Sequence, residues 1–193
     1  PYANAKRGGT LRVFMAGDPP SIDPYGNLSF LTKTYSSYVY SRLFKYNAAP
    51  GVRTVDLAPV GDLATSAESS PDGLTWTVKL KPNAKFHDVP PVNGRAVTTE
   101  DVRFSWSKAT GETNTNRTQL AFIDRLEYPD AATVVFKLKE PNAAFLDTLA
   151  DTNLFFVMPK EADGGFDPSK TSIGSGPWVL ETYTPAVGFK FRR

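Results

Sequence analysis

Asp72-Gly73-Leu74-Thr75-Trp76-Thr77-Val78-Lys79-Leu80, continued by Lys81-Pro82-Asn83-Ala84-Lys85-Phe86-His87-Asp88, is the stretch around which the chain is organised. Trp76, Val78 and Leu80 alternate with Thr77 and Lys79, the period of a strand that buries one face. Ser70-Pro71-Asp72-Gly73 before it and Pro82-Asn83 after it are turn sequences, since Pro presets φ and Gly accepts backbone angles that side chains disfavour. Leu63 to Ser69 can therefore fold back on the strand as a β-hairpin.

Working outward, Phe122 to Tyr128 and Thr133 to Lys139 form a second hairpin around Pro129-Asp130-Ala131, with Val134, Phe136 and Leu138 on one face. A third pair, Trp178 to Tyr183 and Gly188 to Arg193, opens on Gly174-Ser175-Gly176-Pro177 and is joined at Pro185, and the far edge of its last strand has nothing to cover it. Upstream, Thr10 to Met15 is a β-favouring run that enters a loop, Asp18 to Asn27, stiffened by Pro19, Pro20 and Pro24. A rigid loop at a strand end can hold a ligand. Leu31, Tyr35, Val39 and Leu43 recur every four residues, which predicts a helix over Ser29 to Tyr46.

Thr98 begins a second helix as N-cap, with Glu100 and Asp101 as capping charges in its first turn, running to about Thr110. Asn142 caps a short third helix, Ala143 to Leu149, and Asn153 to Met158 reads as a short apolar strand. Asn47 to Asp62, Val89 to Arg95, Gly111 to Thr118 and Glu161 to Gly174 read as turns and loops. The fold class is α/β in the mixed α+β sense.

With 193 residues, 40% of them hydrophobic and 22% charged, the chain has the composition of an ordinary globular protein of one large or two small domains. A formal charge of +2 is too small for a nucleic-acid partner, which needs clustered Lys and Arg. No apolar run reaches the roughly 18 residues of a membrane span, and Pro1 to Thr10 lacks the apolar core of a signal peptide. The chain has no cysteine, hence no disulfide, thiolate metal site or cysteine nucleophile.

Catalytic constellations are missing from the pattern. His87 is the sole histidine and reads as structural; Gly174-Ser175-Gly176-Pro177 does not match a nucleophile elbow and reads as a tight turn. Gly8-Gly9 is too short for a phosphate loop, and Glu100 and Asp101 diverge on their helix. A non-enzyme without cofactor or metal is the expectation.

Seven phrases carry a family likeness. They are Gly8-Gly9-Thr10-Leu11-Arg12-Val13, Pro20-Ser21-Ile22-Asp23-Pro24, Tyr40-Ser41-Arg42-Leu43-Phe44-Lys45-Tyr46, Leu63-Ala64 through Asp72-Gly73-Leu74-Thr75-Trp76-Thr77, Lys85-Phe86-His87-Asp88, Val97-Thr98-Thr99-Glu100-Asp101-Val102 and Ile173-Gly174-Ser175-Gly176-Pro177-Trp178. In this order they resemble the family 5 extracellular solute-binding proteins, the dipeptide, oligopeptide and nickel receptors of bacterial ABC importers. Val89 to Asn93 departs from the family pattern as a loop insertion.

The resemblance implies part of the first lobe of a type II-like periplasmic-binding-protein fold. Residues 1–46 and 172–193 would belong to the cleft-bearing part and 47–171 to an additional subdomain. A second lobe would follow Arg193, the chain being an N-terminal fragment. It further implies a monomeric, extracytoplasmic receptor, periplasmic or lipid-anchored, that delivers a small-molecule or peptide ligand, oligopeptide first, to an ABC permease in the membrane.

Ligand-proximal positions implied by the likeness to the nickel-receptor branch are Tyr25, Asn27, Asn116, Thr152, Asn153 and Phe155, with loop polarity or core packing as the alternative at each. Nickel-chelate and oligosaccharide receptors of the same family are alternatives. A hydrolase using carboxylates about 5–9 Å apart and an interaction module pairing through its terminal strand are rivals from other classes.

Overall fold

A computed structural model describes residues 8–193; the first seven residues of the expected 1–46 segment lie outside the described residues. The two expected hairpins lie side by side in a four-stranded antiparallel sheet, ordered β3 (Ala64–Ser69), β4 (Thr75–Leu80), β6 (Thr133–Leu138), β5 (Ile123–Asp130). Register places Trp76 opposite Phe136 and Val78 opposite Val134, so the apolar faces read separately from the two strands merge into one surface. Val78, Val134 and Phe136 are fully buried there. The turn is set as its sequence requires: Gly73 has φ +71°, and the Asp72 carboxylate accepts from the Ser70 hydroxyl and the Leu74 N–H.

Two helices share this core. Helix α2 (Thr99–Ala109) buries Val102, Ser105 and Ala109, and its Trp106 meets Phe136 edge-on at 6.4 Å between ring centroids. Helix α3 (Phe145–Ala150) brings Phe145 to 4.9 Å from Trp76 and 5.2 Å from Phe136. It starts two residues later than predicted, because the Asn142 carboxamide accepts from Ala144 N–H and closes a turn before the helix.

A second, smaller core gathers Ile22, Tyr35, Val39, Tyr40, Phe156 and Met158 against Phe189 and Phe191. Helix α1 (Phe30–Val39) and the hairpin β7 (Val179–Thr184) and β8 (Gly188–Arg192) build it, with the Tyr35 ring tilted against Phe189 at 4.7 Å between centroids. The glycine turn lies between the cores. Gly176 N–H donates to the Val39 carbonyl at 2.8 Å and Trp178 N–H to that of Tyr38 at 3.1 Å, so the turn takes up the last carbonyls of α1. A Cβ on Gly174 would stand 2.0 Å from the Val39 oxygen, and one on Gly176 2.7 Å from its carbonyl carbon, so only glycine permits the approach.

Three expectations are corrected. Thr10 to Met15 is not a strand: among the described residues it has no ladder partner, and Leu11 and Phe14 are 78% and 88% exposed. The Ser29 to Tyr46 helix ends at Val39, because Tyr40 turns extended to meet the 174–178 segment and Phe44–Tyr46 becomes β1, paired with β2 (Pro59–Gly61). Asn153 to Met158, buried from Leu154 on, joins no sheet; Val157 N–H donates to the Ser41 carbonyl and Met158 N–H to the Ser105 hydroxyl, one bond to each neighbour.

His87 clamps the glycine turn from the other side. Its backbone N–H donates to the Gly174 carbonyl at 2.8 Å, its Nε2 lies 3.0 Å from the Gly176 carbonyl, and its Nδ1 accepts from Gly174 N–H at 3.3 Å. This pattern fits the neutral Nε2–H tautomer, and burial lowers the pKa below 6.5 against the opposing pull of the Gly176 carbonyl. Unfolded, the ring takes up its proton near 6.5; folded, it does so only at lower pH, so the His87 contribution is complete above 6.5 and drains away as pH falls below it. Chemical denaturation between pH 7 and 5 should show stability falling with pH, and His87→Gln should flatten that slope. In the core, Phe136→Ala should cost about 3–5 kcal/mol by the same measurement.

Candidate functional site

The proline-rich loop is closed by its own side chains. The Asp23 carboxylate accepts from Tyr25 N–H at 2.8 Å, and the Asn27 carboxamide accepts from Ser29 N–H at 2.8 Å, just ahead of the Ser29 cap of α1. Helix α1 then pins the loop: Thr32 donates to the Ser21 carbonyl at 2.7 Å and Lys33 to the Pro24 carbonyl at 2.5 Å. Lys33 is only 3% exposed, and burial lowers its pKa while Asp23 and Asp151 oppose the shift. Its ammonium sits 5.9 Å from the centre of the Tyr25 ring.

Tyr25 ties the loop to the distant 151–158 segment by donating its hydroxyl to the Phe156 carbonyl at 2.6 Å, and burial raises its pKa well above 10. At the start of that segment the Asp151 carboxylate accepts from both the backbone and the side-chain N–H of Asn153. Asn116 donates to the Asn153 carbonyl at 3.1 Å, and its own loop is fastened to α2 by Asn114, which donates to the Ala109 carbonyl. Thr152 lines a cavity of about 290 Å³ with Phe30, Lys33, Thr34, Ser37 and Tyr38.

The structure therefore brings Asn116 onto Asn153, Tyr25 onto the same segment through Phe156, and Thr152 into a cavity beside α1. Asn27 stands at the helix entry with its Nδ2 buried and without a partner. Phe155 takes the packing alternative. It is fully buried with its ring edge-on to Trp106 at 5.9 Å, and it presents no surface to a ligand. Lys33 was missed by the sequence reading. Phe30, Lys33, Thr34, Ser37 and Tyr38 form an i, i+3, i+4, i+7, i+8 stripe along α1, which marks a shared face and leaves the burial of Lys33 to the packed structure.

A larger groove of about 540 Å³ is lined by Glu100, Arg103, Phe104, Ser107, Lys160, Glu161 and Asp163. Two carboxylates do converge beside it, but on one guanidinium. Arg95 holds Asp101 at 2.6 Å and Glu161 at 2.5 Å, and Asp101 also accepts from Thr98 N–H at 2.8 Å, closing the predicted helix cap. The Arg95 hydrogen bond lowers the Glu161 pKa, which keeps that group ionised and unfit as a general acid. Asp101 is thus a buried ionic hub as well as the capping charge expected.

The fold is of the periplasmic-binding-protein class, of which this chain covers a part. Residues 58–193 match the family described as bacterial extracellular solute-binding proteins, family 5 middle, and the chain belongs to that family. An Escherichia coli K12 relative named "Probable D,D-dipeptide-binding periplasmic protein DdpA" is 35% identical over 182 residues, 90% of this chain and 33% of the relative.

Among solved structures, the ABC transporter substrate-binding protein CtaP of Listeria monocytogenes is 32% identical with a TM-score of 0.76, over 97% of this chain and 37% of CtaP. The binding protein AgaA of A. tumefaciens R10, in complex with agropinic acid, is 26% identical with a TM-score of 0.76, over 92% of this chain and 34% of AgaA. The chain thus spans about a third of the length of these relatives.

Removing Asp101 leaves Arg95 without its bidentate partner and α2 without its cap, so Asp101→Ala should cost about 3–5 kcal/mol in a urea titration. Glu161 has a folded pKa below its ordinary 4.5, so its contribution is present above that value and lost as pH falls through it. Glu161→Gln should reduce the loss of stability in that acid range.

Proposed function

We propose that this chain is part of an extracytoplasmic receptor that binds a solute, oligopeptides foremost, and presents it to an ABC permease. The observation that carries the reading is the convergence of three separate segments on one place. The α1 stripe and Thr152 of the Asp151–Asn153 turn line the cavity, and the 18–29 loop is fastened to it through the Pro24 carbonyl on Lys33. Hydroxyl side chains of Thr34, Ser37, Tyr38 and Thr152 with the buried Lys33 suit a ligand that has both amide and charged groups.

Thr152 lines that place; Tyr25 and Asn116 hold the segment on which Thr152 and Asn153 lie, through the Phe156 and Asn153 carbonyls, and Asn27 stands at the entry of the helix that forms the other wall. In this reading 1–46 and 172–193 form the cleft-bearing part and 47–171 the additional subdomain; the sheet core draws mainly on the second and the smaller core mainly on the first, with Phe156 and Met158 crossing between them. The receptor works as a monomer, and closure about the ligand is the signal to the permease. The dipeptide-binding name of the E. coli relative supports a peptide over a sugar.

Isothermal titration of the protein with dialanine and a tri- to pentapeptide pool should give saturable heats, weakened by Thr152→Phe, which fills the cavity. Heats with an oligosaccharide or a nickel chelate alone would overturn the peptide assignment.

A further inference from the structure

His87 is joined to the wall of the cavity by an unbroken run of hydrogen bonds. Its ring holds Gly174 and Gly176, and Gly176 N–H and Trp178 N–H in turn hold the Val39 and Tyr38 carbonyls. Tyr38, with Phe30, Lys33, Thr34 and Ser37, is the face of α1 that lines the cavity, so one residue belongs to both ends of the run. Just past α1, the Ser41 hydroxyl closes the same joint by donating to the Ser175 carbonyl at 3.2 Å.

The joint contains a proton-sensitive bond. Nδ1 accepts from Gly174 N–H at 3.3 Å, while Nε2–H donates to the Gly176 carbonyl at 3.0 Å. A proton on Nδ1 turns that acceptor into a donor facing another donor, so the Gly174 bond is lost and the Gly176 bond is kept. Gly174 has no slack to absorb the change, since it packs so closely on α1 that a Cβ there would stand 2.0 Å from the Val39 oxygen. The ring is 8% exposed, which leaves its charge little water. Arg192 of β8 adds a repulsive field, and no carboxylate of the described residues offsets it. In the strap itself Lys85 and Asp88 are exposed and Arg95 is held by Asp101 and Glu161; at the end of α1 burial keeps the Tyr40 hydroxyl neutral.

We propose that His87 is a proton-operated latch on the solute site: with Nδ1 bare the glycine turn holds the α1 wall in place, and with Nδ1 protonated the turn gives way at Gly174, the wall shifts and the solute is held less tightly. The latch rests on the reading of the cavity as the solute site, while the movement of its wall can be followed without any solute.

The test is NMR of the 193-residue chain from about pH 7.5 to about pH 4.5, following the His87 ring carbons and the amides of Gly174, Ser37 and Tyr38. All three amides should move with the midpoint of the ring. In His87→Asn, whose Oδ1 can accept from Gly174 N–H and does not titrate, that step should vanish; His87→Gln gives the same control if the asparagine variant does not fold. Helix amides that stay still while the ring titrates, or that keep the step in the variant, overturn the latch. Dialanine should bind at least about fivefold more weakly below the ring midpoint than above it, and with one affinity throughout in the variant. By reciprocity, saturating dialanine should lower the midpoint of the ring. Equal affinity on both sides of the midpoint overturns the latch and leaves the peptide reading standing. Amides that follow the ring while no peptide binds at any pH confirm the moving wall and count against the peptide reading alone.

Discussion

Close backbone contact at Gly174 and Gly176 is the constraint on which the rest of the molecule depends. The turn is compressed between the end of α1 and the His87 strap, with hydrogen bonds on both sides and no room for a Cβ on either glycine. The two cores meet there. The sheet core reaches the turn through Ile173 and His87, and the smaller core reaches it through Val39 and Tyr40. Without the approach, α1 would lose the partners of its last carbonyls, and the loop that α1 pins through Thr32 and Lys33 would lose its reference frame.

Much of this frame was legible in the chain. Alternation at Trp76, Val78, Leu80 and at Val134, Phe136, Leu138 announced both hairpins, because a half-buried strand leaves a period-two record. That β4 and β6 would be neighbours was not legible, since pairing between hairpins is a long-range choice with no local mark. Tyr40 to Tyr46 misled for a related reason: Leu43 continues the helical spacing of Val39, but Val157 N–H takes the Ser41 carbonyl and the N–H groups of Asp62, Leu63 and Ala64 take those of Arg42 and Leu43. Thr10 to Met15 has strand composition, and composition alone supplies no partner.

The candidate site was half legible. Polar loop residues such as Asn116 and Asn153 could be marked one by one, and their contact needed the fold. Phe155 carries no sign in the sequence that separates a core ring from a ligand-facing one. Lys33 went unread because a cation on an amphipathic helix is ordinarily a solvated side chain. Its distinguishing property is burial, which belongs to the packed structure.

The loop between His87 and Arg95 has a bearing on how such receptors diversify. It closes on itself: Val92 and Asn93 N–H donate to the Val89 carbonyl, and Gly94 N–H returns to that of His87. Both of its ends are anchored by unrelated means, His87 in the glycine turn and Arg95 in the Asp101–Glu161 ion triad. A loop clamped this way is mechanically insulated. Residues could be added or lost between the anchors without the change being transmitted to α2 on one side or to α1 on the other.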